Sequence, residues 1–156
     1  VLVENHFGVL ARVSGLFSAR GFNIDSLCVG ETEDPSASRM TVVVEGDDRV
    51  LEQIVRQLQK LVEVIEITDL TKESYVEREL VMIKIAVNGI GRTPIIEVAN
   101  VFRAKVVDIN PDSMIVEATG SEGKIWAFID MMRPFGIKEL VRTGRIAMAR
   151  SLKNNG

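Results

Sequence analysis

Apolar positions along the chain alternate between a helical spacing of three to four residues and a strand spacing of two, and the changeovers are regular. Val1 to Glu4 reads as the end of a strand, and Asn5-His6-Phe7-Gly8 as a loop. Val9, Leu10, Val13, Leu16 and Phe17 then fall on one face of a helix that stops at Arg20-Gly21, with Gly21 as a left-handed cap. Phe22 to Gly30 is extended, Glu31 to Ser38 is a polar connection, and Met40, Val42 and Val44 mark a strand that ends at Gly46. Asp47 is placed to cap a helix whose stripe is Val50, Leu51, Ile54, Leu58 and Leu61. Val62 to Leu70, rich in β-branched residues, closes a β-α-β-β-α-β series.

Thr71 to Arg78 is polar and reads as a linker, after which the same order returns. Leu80 to Val87 is a strand and Asn88-Gly89-Ile90-Gly91 a turn; Thr93-Pro94 opens a helix carrying Ile95, Val98, Ala99 and Phe102 on one face. Lys105 to Ile109 and Met114 to Ala118 form a hairpin around Asn110-Pro111-Asp112. Ile125, Phe128, Ile129 and Met132 mark a last helix, Ile137 to Thr143 a closing strand, and Lys153 to Gly156 a frayed end. The two series are offset by roughly 75 to 85 residues, which suits two domains better than a solenoid repeat. The predicted class is α+β, with two tandem ferredoxin-like domains over residues 1–72 and 79–150. Each would be a four-stranded antiparallel sheet with two helices on one face, and its open edges call for a second copy of the chain.

Composition narrows the function classes. With 156 residues, 46% hydrophobic and 26% charged, the chain has the material for a globular core. No apolar run approaches the roughly 20 residues of a membrane span. The opening residues show no basic stretch before an apolar block, so no signal peptide is read; the chain also starts without Met inside an apolar run, which leaves room for residues upstream. A net charge of -3 argues against a nucleic-acid partner, and a single cysteine, Cys28, points to no disulfide, so the cytoplasm is the default. Cys28 itself reads as a small buried strand residue.

Catalytic motifs are thin. His6 is the only histidine, so a Ser-His-Asp arrangement or a transition-metal site has little to draw on. Gly89-Ile90-Gly91 sits between a strand and a helix, but Pro94 occupies the third glycine position of a dinucleotide fingerprint, and a plain turn accounts for it. RNA-binding domains share the β-α-β-β-α-β order, but they stack bases on sheet aromatics, and only 5% of this chain is aromatic. The Asn5–Gly8 turn has better chemistry. It precedes a helix N-terminus, whose first amides lack internal partners and favour an anion such as an amino-acid carboxylate. Gly8 lets a ligand approach the backbone, Asn5 offers a donor and an acceptor, and Val9 and Leu10 could supply apolar walls. The same residues also fit a turn that merely closes onto a helix, with Asn5 bonded to its own backbone.

Several of these stretches resemble the small subunit of acetohydroxyacid synthase, also called acetolactate synthase. They are Val3-Glu4-Asn5, Gly8 to Val13, Gly15 to Leu27, Ser38-Arg39-Met40-Thr41, and Gln53-Ile54 with Gln57-Leu58 and Lys60-Leu61-Val62. Val76-Glu77-Arg78-Glu79-Leu80 continues the likeness, and Gly91-Arg92, Phe102-Arg103-Ala104, Val107-Asp108, Gly120 with Gly123-Lys124, and Arg142-Thr143-Gly144 carry it through the second half. The resemblance implies that the first domain is an ACT domain, a small-molecule sensor, and that the protein is a non-catalytic regulatory subunit. In that family two ACT domains pair across a homodimer, and a branched-chain amino acid, usually valine, binds at the joint. The matching positions are Asn5, His6, Phe7, Gly8, Val9 and Leu10, with Asn23 and Ile24 coming from the neighbour. The second domain would contribute to the dimer and to contact with the catalytic subunit. Thiamine diphosphate, FAD and magnesium would belong to that subunit, and none to this chain. An ACT-domain sensor of another biosynthetic enzyme is the alternative, and a small enzyme with its own active site a third.

Overall fold

The computed structural model describes residues 1–151. The chain divides into two compact units, Val1–Tyr75 with the described residues from Ala147 onward, and Val76–Ile146. The expectation for Lys153 to Gly156 lies outside the described residues.

The first unit runs β1 (Leu2–Glu4), α1 (Val9–Ala19), β2 (Ile24–Glu31), β3 (Ala37–Val44), α2 (Asp48–Leu58) and β4 (Val64–Glu66). Its sheet has the order β2-β3-β1-β4, antiparallel throughout, which is the ferredoxin-like arrangement. Val3 and Met40 from the sheet meet Val9, Val13 and Phe17 of α1 and Ile54 and Leu58 of α2 in one buried cluster. The exit of α1 is fixed locally. Gly21 is left-handed at φ +69°, the Phe22 amide donates to the Phe17 carbonyl at 3.1 Å, and the two rings meet edge-on at 6.3 Å. Asp47 caps α2 by accepting from the Val50 amide at 3.0 Å.

The second unit repeats the plan with β5 (Tyr75–Ala86, whose first residue lies before the boundary), α3 (Thr93–Val101), β6 (Lys105–Ile109), β7 (Ser113–Gly120), α4 (Glu122–Met132) and β8 (Ile137–Arg142). The sheet order is β6-β7-β5-β8, and a short strand β9 (Ile146–Ala149) straddles the boundary between the units. Val81, Ile83 and Ile85 alternate inward from β5 and pack against Ile95 and Ala99 of α3 and Ile125, Phe128, Ile129 and Met132 of α4. The protein is therefore α+β, with two β-α-β-β-α-β units.

Five local expectations need correction. The segment 71–78 is not a free linker: it holds the end of a short 3-10 helix (Leu70–Lys72) and the first residues of β5. The strand expected over 62–70 shrinks to Val64–Glu66, because the chain turns away into the Asp69-capped 3-10 helix, with Asp69 accepting from the Thr71 amide. β9 was not expected, since its exposed Ile146 and Met148 give no burial signal. Leu10 points outward at 47% exposure, one position off the buried stripe of α1. Cys28 is only half-buried and stands opposite Thr41, out of phase with the inward-facing Leu27–Val42 pair.

Candidate functional site

The β1–α1 turn is built by backbone anchoring on both sides. The Asn5 amide donates to the Ser36 carbonyl at 2.7 Å, and its side-chain nitrogen donates to the Pro35 carbonyl at 2.9 Å and to Glu31 at 3.3 Å. Asn5 thus pins the turn to the connection between β2 and β3, and among the described residues its side-chain oxygen has no hydrogen-bond partner. That connection is itself ordered, because Asp34 accepts from both the hydroxyl and the amide of Ser36. These bonds, the hydroxyl's first, hold its carboxyl below the ordinary range.

Gly8 is the residue before α1 and sits at φ +87°, a left-handed conformation that L side chains rarely adopt. α1 has no side-chain cap and no acidic residue in its first turn. The Val9 amide reaches His6 O and the Arg12 amide reaches Gly8 O; among the described residues the Leu10 and Ala11 amides have no acceptor. Two free N–H groups at a helix N-terminus carry the positive end of its dipole. Phe7 is fully exposed and Leu10 nearly half so, which gives the turn two apolar side chains facing outward. Val9, by contrast, is buried in the core, so it can offer a ligand only its backbone.

Charge around the turn is mostly negative. Glu4 bonds His6 at 2.9 Å, Glu31 bonds Asn5, and Glu63 bonds Arg12 of α1. The Glu4 carboxylate, and then the Phe7 carbonyl, stabilise the protonated ring, so His6 titrates above its ordinary value of 6.5. The sign follows: the pair favours the fold below the ordinary histidine value, and that contribution disappears as pH rises through the raised one. An NMR titration should therefore show His6 protonated to higher pH than free histidine, with Glu4→Gln shifting it back down. Equal titration in both proteins would remove Glu4 as the cause.

The structure does not bring all the candidate residues together within one chain. Asn5 lies at the turn end of the β2–β3 hairpin, whereas Asn23 bonds Glu45 at 3.4 Å at its open end and Ile24 pairs with Val44. Ile24 also packs partly against the core. Sequence reasoning passed over Glu63, which is 6% exposed although it sits beside Val62 at 85%. Its one signal was an acidic residue within an apolar run.

A family model described as "AHAS small subunit-like ACT domain" matches residues 1–66, and one described as "Small subunit of acetolactate synthase" matches residues 78–151. The chain is 58% identical to the probable acetolactate synthase small subunit of Archaeoglobus fulgidus, over 98% of this chain and 96% of that one. It is 49% identical to the acetolactate synthase small subunit of Mycobacterium bovis, over 100% of this chain and 93% of that one. The crystal structure of the Thermotoga maritima acetolactate synthase small subunit superposes with a TM-score of 0.88 at 41% identity, covering 96% of this chain and 94% of that one.

Proposed function

The chain belongs to the acetolactate synthase small-subunit family, and on that premise we propose that it is a non-catalytic regulatory subunit that binds a branched-chain amino acid, valine first, at the β1–α1 turn. The observation that carries this reading is the pair of unpartnered amides at the start of α1, beside Gly8 and the exposed side chains of Phe7 and Leu10. An effector carboxylate gains two backbone donors there, and its branched side chain has apolar surface to rest on.

Two copies complete the site in this reading. The open edges of the first sheet, β2 and β4, offer unpaired backbone groups to a second chain, and a partner's Asn23 and Ile24 would then approach the turn. The second unit would serve the dimer and the catalytic subunit. Thiamine diphosphate, FAD and magnesium are assigned to that catalytic subunit, where pyruvate condensation would take place. Regulation requires that valine bind one state of the assembly more tightly than another, since a ligand with equal affinity for both shifts nothing.

The test is acetolactate formation by the chain alone, by a catalytic subunit of this family alone, and by the two together. The expected result is no product from the chain alone, a faster rate from the mixture, and a reduction of that rate by valine. Product from the purified chain alone would overturn the non-catalytic assignment. A mixture no faster than the catalytic subunit, with or without valine, would overturn the regulatory one.

A further inference from the structure

Glu63 stands out among the acidic residues of the first unit. It precedes β4, its side chain is 7% exposed, and its carbonyl accepts from the Glu4 amide at 2.9 Å, on the last residue of β1. One carboxylate oxygen takes the guanidinium of Arg12, on the first turns of α1. The other is buried and has no hydrogen-bond partner among the described residues. A buried carboxylate oxygen without a donor is costly, and native proteins usually supply one. These contacts to β1 and α1 put the missing donor next to the turn.

The charges nearby say what kind of donor it is. Glu4, Glu31 and Glu63 each bond a residue of the turn or of the first turns of α1, and the cations in those bonds are His6 and Arg12. A plain anion at the free amides of Leu10 and Ala11 would meet this negative surround uncompensated. A zwitterion would not, because its cationic end answers the carboxylates while its anionic end takes the amides. Arg12 is more than half exposed, so it can shift on the surface without disturbing the core.

We propose that Glu63 is the acceptor for the α-ammonium group of the bound amino acid, which makes the turn selective for amino acids over carboxylates of the same shape. This rests on the turn being the effector site, as argued above. Glu63 would then set specificity, with Arg12 holding the carboxylate in its place when the site is empty.

The experiment is calorimetric titration of the full-length chain with valine and with 3-methylbutanoate, which keeps the branched side chain and carboxylate but lacks the ammonium. The unmodified protein should prefer valine, and Glu63→Gln should weaken valine by roughly 10- to 150-fold, the range for one hydrogen bond to a charged group, while leaving 3-methylbutanoate unchanged. Arg12→Met should act in the opposite sense. It leaves the ammonium as the sole cation on Glu63, so the preference for valine should rise. This second variant decides the matter if Glu63→Gln fails to fold. An unchanged preference in Glu63→Gln, or an unchanged or reduced one in Arg12→Met, overturns the proposal. If Glu63→Gln alters only self-association in sedimentation, the missing donor belongs to a second copy of the chain and the proposal is again overturned. Should the unmodified protein bind neither ligand, the effector reading of the turn fails first, and this inference falls with it.

Discussion

Gly8→Asp should lower valine affinity by at least about 100-fold while shifting the melting temperature little. The ideal Cβ at Gly8 meets nothing within 4 Å, so the new side chain has room within its own chain. What it meets is the left-handed backbone at φ +87°, a cost of roughly 1–2 kcal/mol for most residues and one that Asp tolerates better than most. Against that cost stands a gain. A carboxylate placed just before α1 finds the otherwise free Leu10 and Ala11 amides, and helix caps of this kind contribute about 0.5–2 kcal/mol. The two terms nearly cancel in stability. For binding they do not cancel, because the side chain fills the anion position and repels the ligand carboxylate. Gly8→Ala carries the strain without the charge and should lose far less affinity. If the two variants bind valine equally, backbone shape rather than charge governs the turn. If Gly8→Asp binds like the parent, the turn is not the effector site.

Much of this was legible in the sequence because it is local. The period of 3.6 over Val9 to Phe17, the Asp47 cap and the Gly21 stop each depend on residues a few positions apart, and each stands where the pattern put it. Leu10 was misassigned because it borders the stripe, and an 11-residue helix leaves one column ambiguous. The polar features were hidden for the opposite reason. Glu63 sits in a stretch that reads as apolar strand with a solvated acid, and its burial depends on Arg12, 51 residues earlier. The start of β5 was read as linker because Glu77, Arg78 and Glu79 are charged. The two glutamates are paired with Arg142 and Arg145, more than 60 residues later, while Arg78 donates to the Glu77 carbonyl. Binary patterning registers apolar burial and cannot see a carboxylate whose partner lies tens of residues away in the chain. The candidate site shows the same limit. The amides, Gly8 and Asn5 could be read from the chain, while the separation of Asn23 from the turn needed the strand order.

Arg142→Ala should destabilise the second unit by about 3–5 kcal/mol, the loss typical when one partner of a buried ion pair is removed. Glu79 is 1% exposed and holds Arg142 through both guanidinium contacts, one of them at 3.0 Å. The arginine also lies over the Trp126 ring, 4.5 Å from its centroid. Next to this pair, Arg145 bridges Glu77 and Glu122 at 3.2 and 3.1 Å, and Glu77 accepts the Glu122 amide at the start of α4. The cluster thus fastens β5, β8 and the N-terminus of α4. Within it, Glu79 and Arg142 are not equivalent. Without Arg142 the Glu79 carboxylate is stranded away from water, whereas Arg142, 27% exposed, can turn to solvent if the acid is lost. Glu79→Gln should therefore cost clearly less than Arg142→Ala, and the double substitution Glu79→Gln with Arg142→Ala less than the sum of the two single losses. Trp126 is the single tryptophan of the chain, so its fluorescence during urea unfolding reports on this unit alone. Equal losses for the two single variants, or a fully additive double, would show that the pair is not acting as a buried unit and that the stability of β8 comes from Leu140 and its apolar neighbours instead.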